Sequence, residues 1–204
     1  MIKKIRLIAL MTLLTLVNTN ADMMVRMRSI NIMPDESGSP TVVGGDIKIN
    51  SESVPEIDFT YFLTDKIAFE LIAATATHKV STYNSASNTN HDLGDVSLLP
   101  PTLLVQYHHT FGKFKPYVGV GLNYTFFYGE DPGSHKGISY ENSFGWAAQL
   151  GGDYELDNGF YLNFDLKRIS ISSDVKVDLY AGSSITADVD INPFVAGLGI
   201  GHRF

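Results

Sequence analysis

The sequence contains no cysteine. That excludes disulfide scaffolds, thiolate zinc sites and cysteine nucleophiles together. Charge is sparse: Asp, Glu, Lys and Arg make up 18% of the 204 residues against 44% apolar, a balance that excludes bulk disorder. Basic residues are the scarcer sign, and a net charge of −7 argues against a nucleic-acid partner. No internal run approaches the ~18 apolar residues of a membrane helix. Turn formers are plentiful instead, with 18 glycines and 8 prolines.

Residues 1–21 read MIKKIRLIALMTLLTLVNTNA. Lys3, Lys4 and Arg6 form a positive start, Leu7 to Val17 an apolar stretch, and small or polar residues continue to Ala21. The pattern predicts a secretory signal peptide cleaved after Ala21; the apolar stretch is too short to serve as a membrane anchor. Residues 22–204 then carry 12 basic and 22 acidic side chains, a net charge of −10. An exported, acidic chain without cysteine suits the envelope of a Gram-negative bacterium. Nothing in residues 22–204 breaks the compositional pattern, so a single domain is expected.

That remainder alternates with period two, the signature of strands. Ile57, Phe59, Tyr61 and Leu63 share one face, and Glu56, Asp58 and Thr60 the other. After the tight turn at 64–65, Ile67, Phe69, Leu71 and Ala73 repeat the apolar face, with Glu70 opposite. Val118, Val120, Leu122, Tyr124, Phe126 and Tyr128 alternate with Tyr117, Gly119, Gly121, Asn123 and Thr125. Asp157-Asn158-Gly159 reads as a hairpin turn, because Asn and Gly accept positive φ. Eight strands are predicted, near 23–33, 54–63, 66–80, 96–110, 115–128, 142–156, 159–176 and 189–204. Their connections are tight near 64–65, 111–114 and 157–158, and long and polar near 34–53, 81–95, 129–141 and 177–188. The fold class is therefore all-β: an eight-stranded antiparallel transmembrane β-barrel with short periplasmic turns and longer extracellular loops. Several strands exceed the ~9–11 residues a membrane crossing needs, so the barrel should project outside.

Charge decides which face meets lipid. The face opposite the apolar one holds Gly, Asn, Gln, Asp, Glu, Lys and Arg. A small barrel can hold that set as paired charges and water in its lumen, but cannot leave it dry and unpaired. The apolar face then turns to outer-membrane lipid and lipopolysaccharide. Tyr61, Tyr107, Phe126, Phe127, Tyr128, Tyr154, Phe160 and Phe204 gather near strand ends, as interfacial girdles would. A soluble lipocalin-like barrel would carry a Gly-x-Trp near its first strand, whereas Trp146 lies on the sixth. Phe204, the last residue of an alternating strand, reads as the assembly signal for the outer-membrane barrel insertion machinery.

Four stretches carry a family resemblance: Phe69 to Thr75, Leu99-Pro100-Pro101-Thr102-Leu103, Phe114 to Thr125 (with Pro-Tyr-Val-Gly-x-Gly-x-Asn-Tyr), and the closing Gly201-His202-Arg203-Phe204. With these, nearly all of residues 22–204 resembles the OmpW family of outer-membrane proteins. The resemblance implies a narrow, largely hydrophobic channel for passive uptake of small hydrophobic solutes. It further implies sideways exit through a gap in the wall. It places Ile72 at an apolar constriction, to which alternation independently points it, and Lys167 at a partner position that is aromatic in some members. Pro100 and Pro101 fall where the family's wall is interrupted, and proline offers no ladder N–H.

With the tight turns on the periplasmic side, the inward charges lie low in the barrel: Arg26, Arg28, Asp58, Glu70, Asp153, Glu155, Asp165 and Arg203. Unpaired charges in a confined lumen are costly, so a network closing the periplasmic floor is expected. The alternative is that they merely solvate a narrow watery lumen. Higher inward positions are milder: Ile72, Ala74, Leu104, Phe127 and Val195.

Enzymatic chemistry is not expected. His108 and His109 are strand neighbours pointing to opposite faces and cannot share a metal. His202 lies on the outer face near the rim, and Ser170 and Ser172 lack an acid–His partner. Gly197-x-Gly199-x-Gly201 is a strand with small inward residues rather than a phosphate loop, since no helix pattern follows. No cofactor is implied. The second functional reading is a surface-binding barrel, an adhesin or phage receptor, whose long loops carry the function.

Overall fold

A computed structural model describes residues 22–38, 46–84, 89–133, 136–178, 182 and 184–204; the expected leader, residues 1–21, lies outside them. Among the described residues there are fifteen β-segments and no helix. In chain order they are β1 (Met23–Met33), β2 (Ser37–Gly38), β3 (Asp46–Ile49), β4 (Glu52–Phe62), β5 (Ile67–Ala74), β6 (Ala76–Asn84), β7 (Thr89–Leu99) and β8 (Thr102–His108). There follow β9 (Phe114–Asp131), β10 (Gly137–Tyr140), β11 (Ser143–Glu155), β12 (Phe160–Ile169), β13 (Ser172–Asp178), β14 (Ser184–Asp190) and β15 (Phe194–Arg203).

Eight segments close a ring in the order β1-β4-β5-β8-β9-β11-β12-β15, with β15 pairing back onto β1. Every pairing is antiparallel. Closure gives every strand of the ring two paired neighbours, as a lipid environment requires. The shorter segments extend these strands upward as two sheets, β3-β6-β7-β9 and β10-β13-β14-β2. β9 runs through both storeys in 18 residues, roughly 60 Å at ~3.3 Å per residue. The eight expected strands are thus present, four of them broken once. The 157–159 turn has φ of 60° at Asn158 and 76° at Gly159, the double positive φ of a two-residue hairpin loop.

Which residues face inward keeps the same parity across the β5–β6, β7–β8, β12–β13 and β14–β15 breaks and switches from β10 (Ile138, Tyr140) to β11 (Ala147, Gln149), but the chemistry inverts. In the lower storey Leu71, Leu103, Val120, Trp146, Leu162 and Leu198 are exposed on the outside, Val120 at 67%, while charged and amide side chains are buried within. In the upper storey Lys48, Thr77, Lys79, Asp174 and Lys176 face out. Ile47, Val80, Val96, Val175 and Val189 face in. The lower storey is built for lipid outside and the upper one for water outside. Tyr61, Tyr107, Tyr154, Phe160 and Phe204 are exposed near the tight-turn end, and Phe126 and Tyr128 near the breaks, so aromatics flank the apolar band. Phe127 is not among them: its inward parity buries it, and its ring stacks on Tyr140 at 5.4 Å.

Side chains stitch the interruptions where the ladder fails. Asn50 Oδ1 accepts from the Lys79 N–H at 2.6 Å, Asn142 Oδ1 from the Phe127 N–H at 3.1 Å, and Asn192 Oδ1 from the Ile171 N–H at 3.1 Å. Each amide stands in for a missing backbone acceptor, which a buried N–H requires.

Candidate functional site

The lower lumen is filled by one ion network. Arg26 lies on β1 and is fully buried. Its Nε and Nη2 donate to both oxygens of Asp153 at 3.0 and 2.7 Å. Its Nη1 donates to Asp58 Oδ1 at 2.9 Å and to Thr60 Oγ1 at 2.6 Å. Arg28, one inward position higher, donates to Glu56 at 2.7 Å and Glu70 at 3.1 Å. Its Nη2 also lies 2.7 Å from Asp58 Oδ2, outside hydrogen-bond alignment, so that contact is chiefly electrostatic. Lys167 donates to Glu56 at 2.8 Å and Asp165 at 2.7 Å.

Five carboxylates therefore face three cations. Neutral donors satisfy the excess: Gln106 and Gln149 donate to Glu70 Oε2 at 2.9 and 2.7 Å, the Tyr117 hydroxyl to Asp165 at 3.0 Å, and Asn163 to Asp153 at 2.8 Å. A dry charge cluster is tolerable only with this degree of mutual satisfaction.

Glu155 and Arg203, expected in this network, stand apart at the rim. Glu155 pairs with Lys115 at 2.9 Å; Arg203 forks onto Asp22 at 2.6 Å while its guanidinium caps the Phe62 ring at 4.0 Å. Strand parity points both inward, but both lie too close to the strand ends to reach the centre. Glu56 and Lys167 take part in their place. Lys167 is consequently not a free cation at an apolar constriction, because two carboxylates hold its ammonium against the floor. Tyr117, Gln106, Gln149 and Asn163 were identifiable only by inward parity, not as members of a network.

Strand β15 makes room for the arginines. A Cβ built on Gly199 would lie 2.6 Å from Arg28 Cγ, and one on Gly201 would lie 2.9 Å from Arg26 Cγ. The Gly197-x-Gly199-x-Gly201 repeat is thus the trough in which the aliphatic stems of Arg26 and Arg28 lie. Gly199→Val is expected to destabilise the barrel by ~1–3 kcal/mol through overpacking. The Met27 carbonyl oxygen lies closer still to that Cβ, so urea unfolding in lipid vesicles would measure the cost, and an unchanged midpoint would show that the β1 backbone as well as the Arg28 stem can move aside.

Above the network the lumen turns apolar. Ile72, Leu104, Phe127 and Val195 are buried in one continuous cluster, with Ala74 packed against it. A lower chamber is lined by Ile72, Ala74, Val195 and Ile30, with the buried Glu56 and Lys167 at its base. An upper chamber is lined by Ile47, Val80, Val96, Val175 and Val189, and His78 and Leu98 border both. In that upper part, burial and then the Glu130 carboxylate push the Tyr140 phenol well above its ordinary range, so it stays neutral.

Beside the lower chamber the wall is incomplete. The β5–β8 ladder ends at Ile72↔Thr102 and the β6–β7 ladder resumes at Ala76↔Leu98. Between them Ala73, Ala74 and Thr75 face Leu99, Pro100 and Pro101 with no ladder pair. Thr75 Oγ1 alone reaches across, donating to the Leu98 carbonyl at 3.1 Å and contacting the Tyr128 hydroxyl. On the far side Pro101 stays attached, its carbonyl accepting from the Tyr124 N–H at 3.1 Å. Pro100 and Ala74 thus lie at once on the gap and on the chamber lining.

Residues 19–204 match the family described as the OmpW family. Outer membrane protein W of Vibrio cholerae is 34% identical over 195 residues, covering 90% of this chain and 88% of its own. The crystal structure of the outer membrane protein OprG from Pseudomonas aeruginosa superposes with a TM-score of 0.81 at 29% identity, covering 90% of this chain and 96% of that one. The solid-state NMR structure of the outer membrane protein AlkL in DMPC lipid bilayers gives a TM-score of 0.72 at 25% identity, covering 92% of each.

Proposed function

The chain belongs to the OmpW family of outer-membrane proteins, and from that premise we propose that it is a channel for passive uptake of small hydrophobic molecules, which leave sideways through the barrel wall. One arrangement carries the reading: an apolar lumen sealed below by ions, with its lower chamber opening beside an unpaired stretch of wall. A solute entering from outside meets aliphatic side chains down to Ile72 and Val195. Passing the floor would mean separating Arg28 and Lys167 from their carboxylates, which costs several kcal/mol per buried charge. Moving out past Ala73, Ala74 and Pro100 breaks no ladder bond and delivers an apolar solute into the lipid it prefers. Residues 1–21 act in this reading as the export leader.

The test is entry of a small apolar solute into cells carrying the barrel. Ile72→Arg places a charge in the lower chamber and is expected to cut entry several-fold. Shortening the extracellular loops is expected to leave it intact. If Ile72→Arg enters like wild type while loop shortening abolishes a cell-surface interaction, the surface-binding reading replaces this one.

A further inference from the structure

Two polar side chains interrupt the apolar lining, and neither the ion network nor the wall gap uses them. Thr82 is 1% exposed, and its hydroxyl has no hydrogen-bond partner among the described residues. Its register partners are Ile47 on β3 and His91 on β7, and its neighbour on the inner face is Val80. Ser173, a further polar member of the same lining, is committed to the Glu141 carbonyl at 2.8 Å. A buried hydroxyl left unpaired is costly and uncommon.

His78 is 3% exposed and stands where the two chambers meet. Its Nδ1 lies 2.9 Å from the Asn50 carbonyl oxygen. A carbonyl only accepts, so Nδ1 donates to it, and in the Nδ1–H tautomer Nε2 is the acceptor. His78 and Thr82 share one strand face four residues apart, ~13 Å at ~3.3 Å per residue. His78 Nε2 in that form only accepts, the Thr82 hydroxyl both accepts and donates, and Val80 lies between them on the inner face.

We propose that Thr82 and His78 are two stations of a head-group track, and that the lumen selects amphipathic solutes with one hydrogen-bond-donating hydroxyl on an aliphatic body. The inference rests on the channel reading above and narrows its solute class. The head pairs first with Thr82 in the upper chamber and then with His78 Nε2 at the junction, while the tail stays against valine and isoleucine. From His78 the next step is the lower chamber and the wall gap. An ether or alkane of equal size has no proton to give. An alkane leaves both stations unpaired; an ether can accept from the Thr82 hydroxyl but leaves His78 Nε2 unpaired, so the choice of donor over acceptor is made at His78.

Octanol and its isomer heptyl methyl ether have the same atoms and differ in donor capacity. Their entry is compared in cells carrying the full chain and in cells without it. Octanol is expected to enter faster than the ether by about tenfold, the discrimination that one satisfied hydrogen bond supplies. His78→Phe should bring that ratio toward one without slowing the ether, while Thr82→Val should slow both isomers alike and Thr82→Ser should restore them. Heat-dependent gel mobility checks that each variant folds. On the wild-type barrel in lipid nanodiscs, the nitrogen NMR signal of His78 Nε2 should move with octanol and not with the ether. Equal entry of the two isomers into wild-type cells, above cells without the barrel, overturns the head-group track and leaves the channel. The same holds if the ratio survives in the folded His78→Phe variant. Entry of neither isomer above the empty cells overturns both.

Discussion

Replacing Arg28 with methionine is expected to destabilise the barrel by ~3–5 kcal/mol, the cost of removing one partner from a buried ion cluster. The guanidinium is within 4 Å of four carboxylates, those of Glu56, Asp58, Glu70 and Asp165. Methionine keeps the unbranched stem that lies over Gly199, so packing is largely preserved and the loss is electrostatic. Five carboxylates would then face Arg26 and Lys167 alone, in a space walled by the barrel. Arg28→Lys restores the charge but not the planar fork that serves several carboxylates at once, and is expected to recover only part of the stability. Glu56→Gln in the Arg28→Met background relieves one of the orphaned charges, and the double-mutant cycle should show strong coupling between the two sites. Urea unfolding from lipid vesicles reads all three. A loss below ~1 kcal/mol for Arg28→Met would mean that water screens these charges, as it does at a protein surface, and that the floor is a wet lumen and not a seal.

Legibility in the sequence followed the range of each interaction. Alternation is local, so strand positions and facing could be read without a partner: Ile72, Leu104 and Val195 inward, Leu71 and Leu103 outward. The Asn158-Gly159 turn was equally local. Network membership is not local. Arg26 meets Asp153 across 127 positions of sequence, and Lys167 meets Glu56 across 111. Parity could place these groups in the lumen but not at one height, because height depends on strand tilt and stagger around the closed ring. That is why Glu155 and Arg203, inward by parity, end at the rim, while Glu56 joins the centre. The glycine repeat of β15 had a visible pattern whose cause lay on another strand, since only the Met24↔Arg203 to Met33↔Phe194 register lays the Arg26 and Arg28 stems across it. The change of chemistry between storeys was written in the strands themselves. Val175 and Val177 are inward aliphatics where Asp165 and Lys167 are inward charges, on the same parity of one long strand.

The interrupted wall yields the second large expected effect. Replacing Pro100 with threonine and Pro101 with valine returns two backbone N–H donors to the stretch facing Ala73, Ala74 and Thr75, and supplies residues that favour the extended strand. The backbone carbonyls that hold this segment to β9 are retained, because Pro100 and Pro101 accept there through main-chain oxygens from Asn123 and Tyr124. The paired variant should therefore fold at least as stably as wild type, with the β5–β8 and β6–β7 ladders joined across the present gap. A sealed wall above a sealed floor leaves the lower chamber with no exit. Entry of apolar solutes is then expected to fall by about tenfold or more, as a barrier raised by ~1.4 kcal/mol or more requires. Solute binding in the upper chamber should persist, since Val80, Val96, Val175 and Val189 are untouched. A folded variant with unreduced entry would place the exit elsewhere. The charged floor would then be the structure to reopen, and the Arg28→Met barrel, if it folds and leaks apolar and polar solutes alike, would identify the route. Loss of entry with retained binding would instead tie transport to a few missing hydrogen bonds between two neighbouring strands.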